Sequence, residues 1–392
     1  MVQANFVGCT SKQVRCSMNF TFFPVGIILF SVFCFALAVQ LCYYLGVFSR
    51  VAFFRSKRST PASPPPVSVI VCARNEDDNL VQFLPLLLNQ DYPEFQVVVV
   101  NDCSSDNTGD VLDELARKND RLKIVTIKPD EYYEHGKKFA LMVGIKGAEH
   151  DLLVMTDADC RPASNQWLRN MAAHFNEKQE IVIGYGAHER TKGFLNKLIR
   201  FDGFFIGLQY LSFSLAGRTY MGVGRNLGYE KELFFRKKGF ASHYHILSGD
   251  DDLFVNEAAQ KDNVAVEIDA NSFTITAAKK TGREWFRQKK RHITTFPHYK
   301  PADKFYLGLL PATQFLFFAT FCALVAIKFL LYFVLGLFVF RLLVQMLIFN
   351  GAMRRLNEKD LLVYSPLLEI ILMFFYPVLA LSNAFQKKSK WS

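Results

Sequence analysis

The sequence predicts a doubly wound α/β domain on a parallel sheet, set between apolar segments that cross a membrane. Three observations carry this. Continuous apolar strand runs alternate with helical stretches over residues 67–155. Carboxylates directly follow two of those runs, at Asp102 and Asp157. Long apolar stretches flank the polar middle, and residues 16–49 include no Asp, Glu, Lys or Arg. That is ample for the roughly 20 apolar residues that span a bilayer.

Taken in order, the 392 residues divide into a tail (1–19), a transmembrane helix (20–48) and a basic, Pro-rich linker (49–66). A globular domain (67–298), a C-terminal transmembrane region (303–385) and a basic tail (386–392) complete the chain. The first apolar run is too long for a cleaved signal peptide and lacks its basic start and small-residue cleavage site. Three apolar stretches, 305–327, 329–350 and 361–385, make up the C-terminal region. Arg341 and Glu369 are each the only charged residue in their stretch and are expected to pair.

The net charge of +10 gathers beside the spans, at Arg50, Arg55, Lys57 and Arg58, at Arg354 and Arg355, and at Lys387, Lys388 and Lys390. Basic residues there follow the positive-inside rule, which puts the domain in the cytoplasm and the N-terminus outside. They also suit anionic lipid headgroups. No stacking or base-reading motif accompanies them, so no nucleic-acid partner is expected. Four full spans would leave the basic tail outside, so the last segment is expected to re-enter or lie in the interface, bending at Pro366 or Pro377. Eight cysteines without a C-x-x-C pair argue against a disulfide framework or a zinc site.

Within the domain, residues 67–72, 95–100, 122–127 and 151–155 read as strands, continuous rather than alternating, as parallel strands buried on both faces are. Residues 77–89, 107–118 and 136–147 read as the helices between them. In such sheets ligands bind beyond the carboxyl ends of the strands, where Asn75, Asp102 and Asp157 fall. Residues 197–214 form a further helix with an unusually broad apolar face, which suits either the core or a position at the membrane surface or lining an acceptor site.

Several clusters carry chemistry. Asp157 and Asp159 can both face one divalent cation if Ala158 turns the chain, and hard oxygens suit Mg2+ or Mn2+. Ser104, Ser105 and Asp106 are better placed than Asp102 to cap the next helix, which leaves Asp102 for a ligand. Lys137 and Lys138 stand at a helix N-terminus, unfavourable unless an anion is near. Asp250, Asp251 and Asp252 set like charges side by side, which raises a carboxyl toward a useful general base, though one of them can also cap the following helix. Gln288 and Arg291 lie in a basic helix with Trp285 and Phe286, suited to a leaving diphosphate or to the bilayer surface.

Together these motifs resemble the family 2 glycosyltransferases, inverting enzymes of GT-A fold, and among them the membrane-bound ceramide glucosyltransferases and polysaccharide synthases. Asp102, Asp157-Ala158-Asp159, Ser248-Gly249-Asp250 and Gln288-Lys289-Lys290-Arg291-His292 match the family's ordered motifs, with Gly249 where Glu is common and His292 in place of Trp. The resemblance implies a Rossmann-like GT-A domain and a nucleotide-sugar donor, most often a UDP-sugar, bound by Ala73, Asn75, Glu76, Asp102, Lys137, Asp157, Gln288 and Arg291. It implies Asp250 as the catalytic base, Asp157 and Asp159 as ligands of Mg2+ or Mn2+, and Gly224, Arg225, Asn226, Asp251 and His292 on the acceptor side. The acceptor would be a lipid or lipid-linked glycan. A processive polysaccharide synthase with a membrane or secretion partner subunit is the second reading, ahead of a GT-A-fold nucleotidyltransferase or a non-catalytic scaffold.

Overall fold

The computed structural model describes residues 11–55, 64–128, 136–246 and 248–384, without the side chains of residues 11–22. The basic tail 386–392, Lys57, Arg58, residues 61–63 of the Pro-rich stretch and the first ten residues lie outside the described residues. The chain forms two compact units. One gathers residues 1–46 and 305–347, the other 47–304 and 348–392. Among the described residues four helical segments, Phe23–Ala52, Pro301–Ala326, Leu331–Arg355 and Lys359–Asn383, are long and apolar enough to cross a membrane.

The first unit is helical and packs through aromatic rings. Phe33 stacks on Phe317 at 4.7 Å, and Phe321 on Phe338 at 4.3 Å. Buried among them, the Arg341 guanidinium donates to Gln40 Oε1 (2.9 and 2.8 Å), to the Tyr44 hydroxyl (2.8 Å) and to Gln345 Oε1. Charge-assisted bonds of this kind offset part of the few kcal/mol that an arginine costs in hydrocarbon. Gln40 and Tyr44 come from a helical segment some three hundred residues earlier, and Gln345 from one turn along the same helix. Glu369, the partner expected from the sequence, is buried as well.

The second unit is the α/β domain. Its strands are β1 (Val67–Ala73), β2 (Phe95–Asp102), β3 (Leu122–Ile127), β4 (Leu152–Asp157), β5 (Cys160–Pro162), β6 (Ile181–Gly184), β7 (Gly186–His188), β8 (Leu227–Glu230), β9 (Val264–Glu267) and β10 (Thr274–Thr276). A seven-stranded sheet runs β3-β2-β1-β4-β8-β6-β9, and a small one runs β5-β10-β7. The first four strands are parallel, as the sequence predicts; β1, β2 and β4 are buried on both faces, while the edge strand β3 is only partly so. Val69, Val71 and Val99 pack with Leu84, Trp167 and Met171, each essentially fully buried. At about 1.5–3 kcal/mol per large apolar side chain this layer dominates the domain's stability. On the other face the helix Lys137–Gly147 lies so close that a Cβ on Gly144 would stand 2.9 Å from methyls of Ile70 and Val100.

The sheet is mixed rather than wholly parallel. β8 runs antiparallel to both β4 and β6. The chain reaches it from the carboxyl end of β4, where Leu227 pairs with Met155, and so must run back along that strand.

Helix Phe194–Leu215 is largely buried, with Phe201, Phe204, Leu208 and Leu211 inside, which resolves its broad apolar face as core. Helix Gly282–His292 opens on a capping box between Thr281 and Glu284. It is docked on the last apolar helix, Ser365–Ala384, which belongs to this unit and continues through Pro377. Lys290 Nζ donates to Ser382 O and Oγ (3.0 and 2.7 Å), and Asn383 Nδ2 to Lys290 O (3.0 Å).

Candidate active site

The loops after β1, β2 and β4 form one rim. Asn75 adopts a left-handed conformation (φ 56°), which an asparagine tolerates better than most residues. Its N–H donates to Ser104 Oγ (3.1 Å), and its Oδ1 accepts from Ser105 N–H (2.8 Å). The loops after β1 and β2 are thereby tied together. Asp106 caps the helix Thr108–Ala116, accepting from Thr108 N–H at 3.0 Å. Asp102, the last residue of β2, is buried and takes no part in that cap. Ala73 is buried at the end of β1. Glu76 is held by Asn79 at 2.6 Å, and burial pushes its carboxyl up.

At the centre lies Lys137. Its ammonium reaches Asp157 Oδ1 at 2.8 Å and Asp250 Oδ2 at 3.2 Å. A cavity opens between them, lined by Cys72, Lys137, Asp157, Gly224, Asp250 and Asp251. Burial opposes the charge on Lys137, but Asp157, Asp250 and Asp251 reverse that and hold its pKa well above the ordinary lysine value. Burial likewise pushes the Asp157 carboxyl up, and Lys137, Arg225 and Arg291 outweigh it, leaving the group below its usual range. Cys72 marks the convergence. Burial pushes its thiol up to about 12, and the charges of Lys137, Asp250, Asp157 and Asp102 all act on it.

The three consecutive aspartates divide their work. Asp252 is structural, accepting from Thr295 Oγ1 (2.5 Å), Tyr299 OH (2.7 Å) and Leu253 N–H (2.8 Å). Asp251 caps the helix Asp252–Ala258 through Oδ1 and receives Gly224 N–H on Oδ2 at 2.6 Å. Its carboxyl is the one that burial and its two neighbours push up to about 7. Asp250 faces Lys137 and the cavity.

Asp157, Asp159 and Cys160 offer ligand atoms within 4.8 Å of one another. The two carboxylates fit a hard divalent cation. Cys160 does not join them: its thiol donates to Asp159 Oδ1 at 3.2 Å, and burial raises its pKa well above the usual value, keeping it protonated.

On the other side of the cavity the expected acceptor residues separate. Gly224 meets Asp251, and Arg225 donates to Gly186 O at 2.6 Å. Asn226 turns away from the site. Fully buried, it donates to Tyr185 O and Ser272 O (2.9 Å each) and accepts from Trp167 Nε1 (3.0 Å). Its amide is used up inside the fold, so it shapes the loop and cannot contact an acceptor directly. Gln288 is half-buried, whereas Arg291 and His292 are exposed at the end of their helix. Arg291 acts electrostatically on Asp157.

Sequence reasoning singled out Lys138 only as a cation awaiting an anion and missed Asp202, and both hold these groups in place. Lys138 is buried and donates to His243 O (2.6 Å) and Ile246 O (2.9 Å), pinning the loop that leads to Asp250. Asp202 binds Lys289 and accepts from Tyr376 OH at 2.5 Å, joining three helices. A charge inside the apolar stretch 197–214 was the signal for the second of these.

Fold and site define an α/β domain with an acidic, cation-capable pocket at the ends of parallel strands. Residues 68–235 match the model of glycosyl transferase family 2, and the chain carries a glycosyltransferase domain of that family. A probable glycosyltransferase of Bacillus subtilis strain 168 is 35% identical over 129 residues, 31% of this chain and 29% of that protein. A beta-monoglucosyldiacylglycerol synthase of Trichormus variabilis is 30% identical over 138 residues, 35% of this chain and 29% of that protein. The chain thus spans under a third of the length of these relatives. A mannosyltransferase from Pyrobaculum calidifontis, solved with GDP-Man and Mn2+, superposes with a TM-score of 0.60 at 19% identity, covering 93% of this chain and 99% of that one. The fold is therefore GT-A, and with its four long apolar helices this is a membrane protein.

Proposed function

We propose that the protein is an inverting glycosyltransferase of the cell (inner) membrane, multi-pass, with its catalytic domain in the cytoplasm. It moves a sugar from a nucleotide sugar, a UDP-sugar by family resemblance, to a lipid or lipid-linked acceptor. The supporting observation is that one ammonium, Lys137, touches both Asp157 and Asp250. The carboxylate assigned to the leaving group and the one assigned to the acceptor thus lie on either side of a single cavity, as an in-line displacement requires.

In this reading Asn75, Glu76 and Asp102 hold the nucleoside, with Ala73 at the floor. Asp157 and Asp159 hold Mg2+ or Mn2+, which when bound neutralises diphosphate charge. Asp250 takes the acceptor hydroxyl proton as that oxygen attacks the anomeric carbon. The C–O bond to the diphosphate breaks on the opposite face, inverting the centre. Gln288 and Arg291 lie over the departing diphosphate, Arg291 supplying the fork geometry that suits phosphate. The glycolipid-forming relative supports a lipid acceptor.

Membranes containing the protein, incubated with radiolabelled UDP-sugars, should yield label in the lipid extract with release of UDP. Chelation should abolish it. Label in polymer would instead establish a processive synthase, and release of pyrophosphate a nucleotidyltransferase.

A further inference from the structure

Lys137 occupies an unusual position for a lysine. It is the first residue of helix Lys137–Gly147, where the backbone N–H groups already present positive potential. Gly136 before it offers no side-chain cap. Yet the ammonium is folded back between two carboxylates, 2.8 Å from Asp157 and 3.2 Å from Asp250. Asp157 belongs to the group of atoms that can ligate a cation. The lysine thus supplies the positive charge that a divalent ion would supply to the same carboxylate.

Two cations held at one carboxylate repel each other, and that repulsion rises steeply as water is excluded. A diphosphate changes this balance, since the helix N-terminus is a ready anion site and a lysine's flexible stem carries its charge there easily. We infer that Lys137 holds the cation's place until a nucleotide diphosphate draws it away, so that metal and nucleotide enter the site together. The inference rests on the metal role proposed for Asp157 and Asp159.

The test is Mn2+ binding by the full chain in lipid nanodiscs, followed by the electron paramagnetic resonance of free Mn2+, with and without UDP. The wild type should bind Mn2+ at least about tenfold more weakly without UDP than with it. By linkage, Mn2+ should tighten UDP binding by the same factor. Lys137→Met should raise the nucleotide-free Mn2+ affinity about tenfold and shrink the coupling. Lys137→Arg, which keeps a cation, should retain weak nucleotide-free binding, and it guards against a methionine variant that fails to fold. Unchanged or weaker nucleotide-free binding in Lys137→Met would overturn the inference while leaving the metal site intact. No Mn2+ binding by the wild type even with UDP, or undiminished binding in Asp159→Asn, would sink the metal role itself.

Discussion

The indole of Trp285 stacks on the ring of Phe375 at 4.3 Å and 10°, fixing the helix that carries Gln288 and Arg291 to the last apolar helix. The basic residues of that segment therefore do different jobs. Lys289 and Lys290 anchor it inward, while Arg291 projects outward and acts on Asp157.

Trp285→Ala should destabilise the protein by about 3 kcal/mol, the cost of removing a large buried aromatic. If the helix covers the diphosphate, the donor KM should also rise several-fold. A lowered melting temperature with an unchanged donor KM would show that the helix only braces the fold.

Asp250→Asn should cut turnover by roughly 10²–10⁴-fold, with donor binding near normal, because the amide cannot accept the acceptor's proton. Turnover and UDP binding measured on the same preparation decide it. Near-normal turnover would move the base to Asp251, since Asp252 is spent on Thr295 and Tyr299.

Gly249 has φ +95°, and a Cβ there would meet Leu253 Cδ1 at 2.5 Å and Cγ at 2.7 Å. The glutamate common at this family position is thus excluded by this loop's geometry. Gly249→Ala should cost about 1–3 kcal/mol and should reduce turnover by displacing Asp250. Full stability of the variant in a thermal melt would contradict the strain.

Asp251 makes stability depend on pH. Its carboxyl is pushed up to about 7 by burial and by Asp250 and Asp252. The folded state therefore binds this proton more tightly than the unfolded chain does. The resulting stability is fully present below about pH 4, the unfolded carboxyl value, and is lost as pH rises to about 7. Melting curves between pH 5 and 8 should fall with pH, and Asp251→Asn should flatten that slope. An unchanged slope would assign it to other groups.

What the sequence reveals is governed by how local the cause is. β1, β2 and β4 are legible because both faces are buried, so each reads as a continuous apolar run ending at the site. Asp102 and Asp157 stand out because a carboxylate directly after such a run is expensive without a reason. The later strands are three or four residues long and carry too little pattern, so the antiparallel β8 goes unseen. Asn226 looks like an acceptor contact until Trp167, fifty-nine residues away, claims its oxygen. Lys138 is legible as a misplaced cation, but its carbonyl partners lie more than a hundred residues downstream. The aspartate triplet shows its charge density plainly. Which member is cap, which brace and which open to the cavity depends on Gly224, Thr295 and Tyr299.

The reversal of β8 has an evolutionary consequence. Most of what is assigned to the donor, from Ala73 to Asp159, lies at the ends of the parallel strands β1, β2 and β4 or at the start of the helix after β3, with Gln288 and Arg291 the exceptions. Gly224 and Asp250, by contrast, are delivered by chain on the other side of the reversal, joined to the first half by two short strand pairings, β4 with β8 over four positions and β5 with β10 over three. The two halves can therefore drift at different rates. On the proposed roles a lineage can exchange what it glycosylates by rewriting residues 186–281 while inheriting its sugar-nucleotide residues, Gln288 and Arg291 included, and hybrids that take only this segment are the natural way to move one specificity without the other.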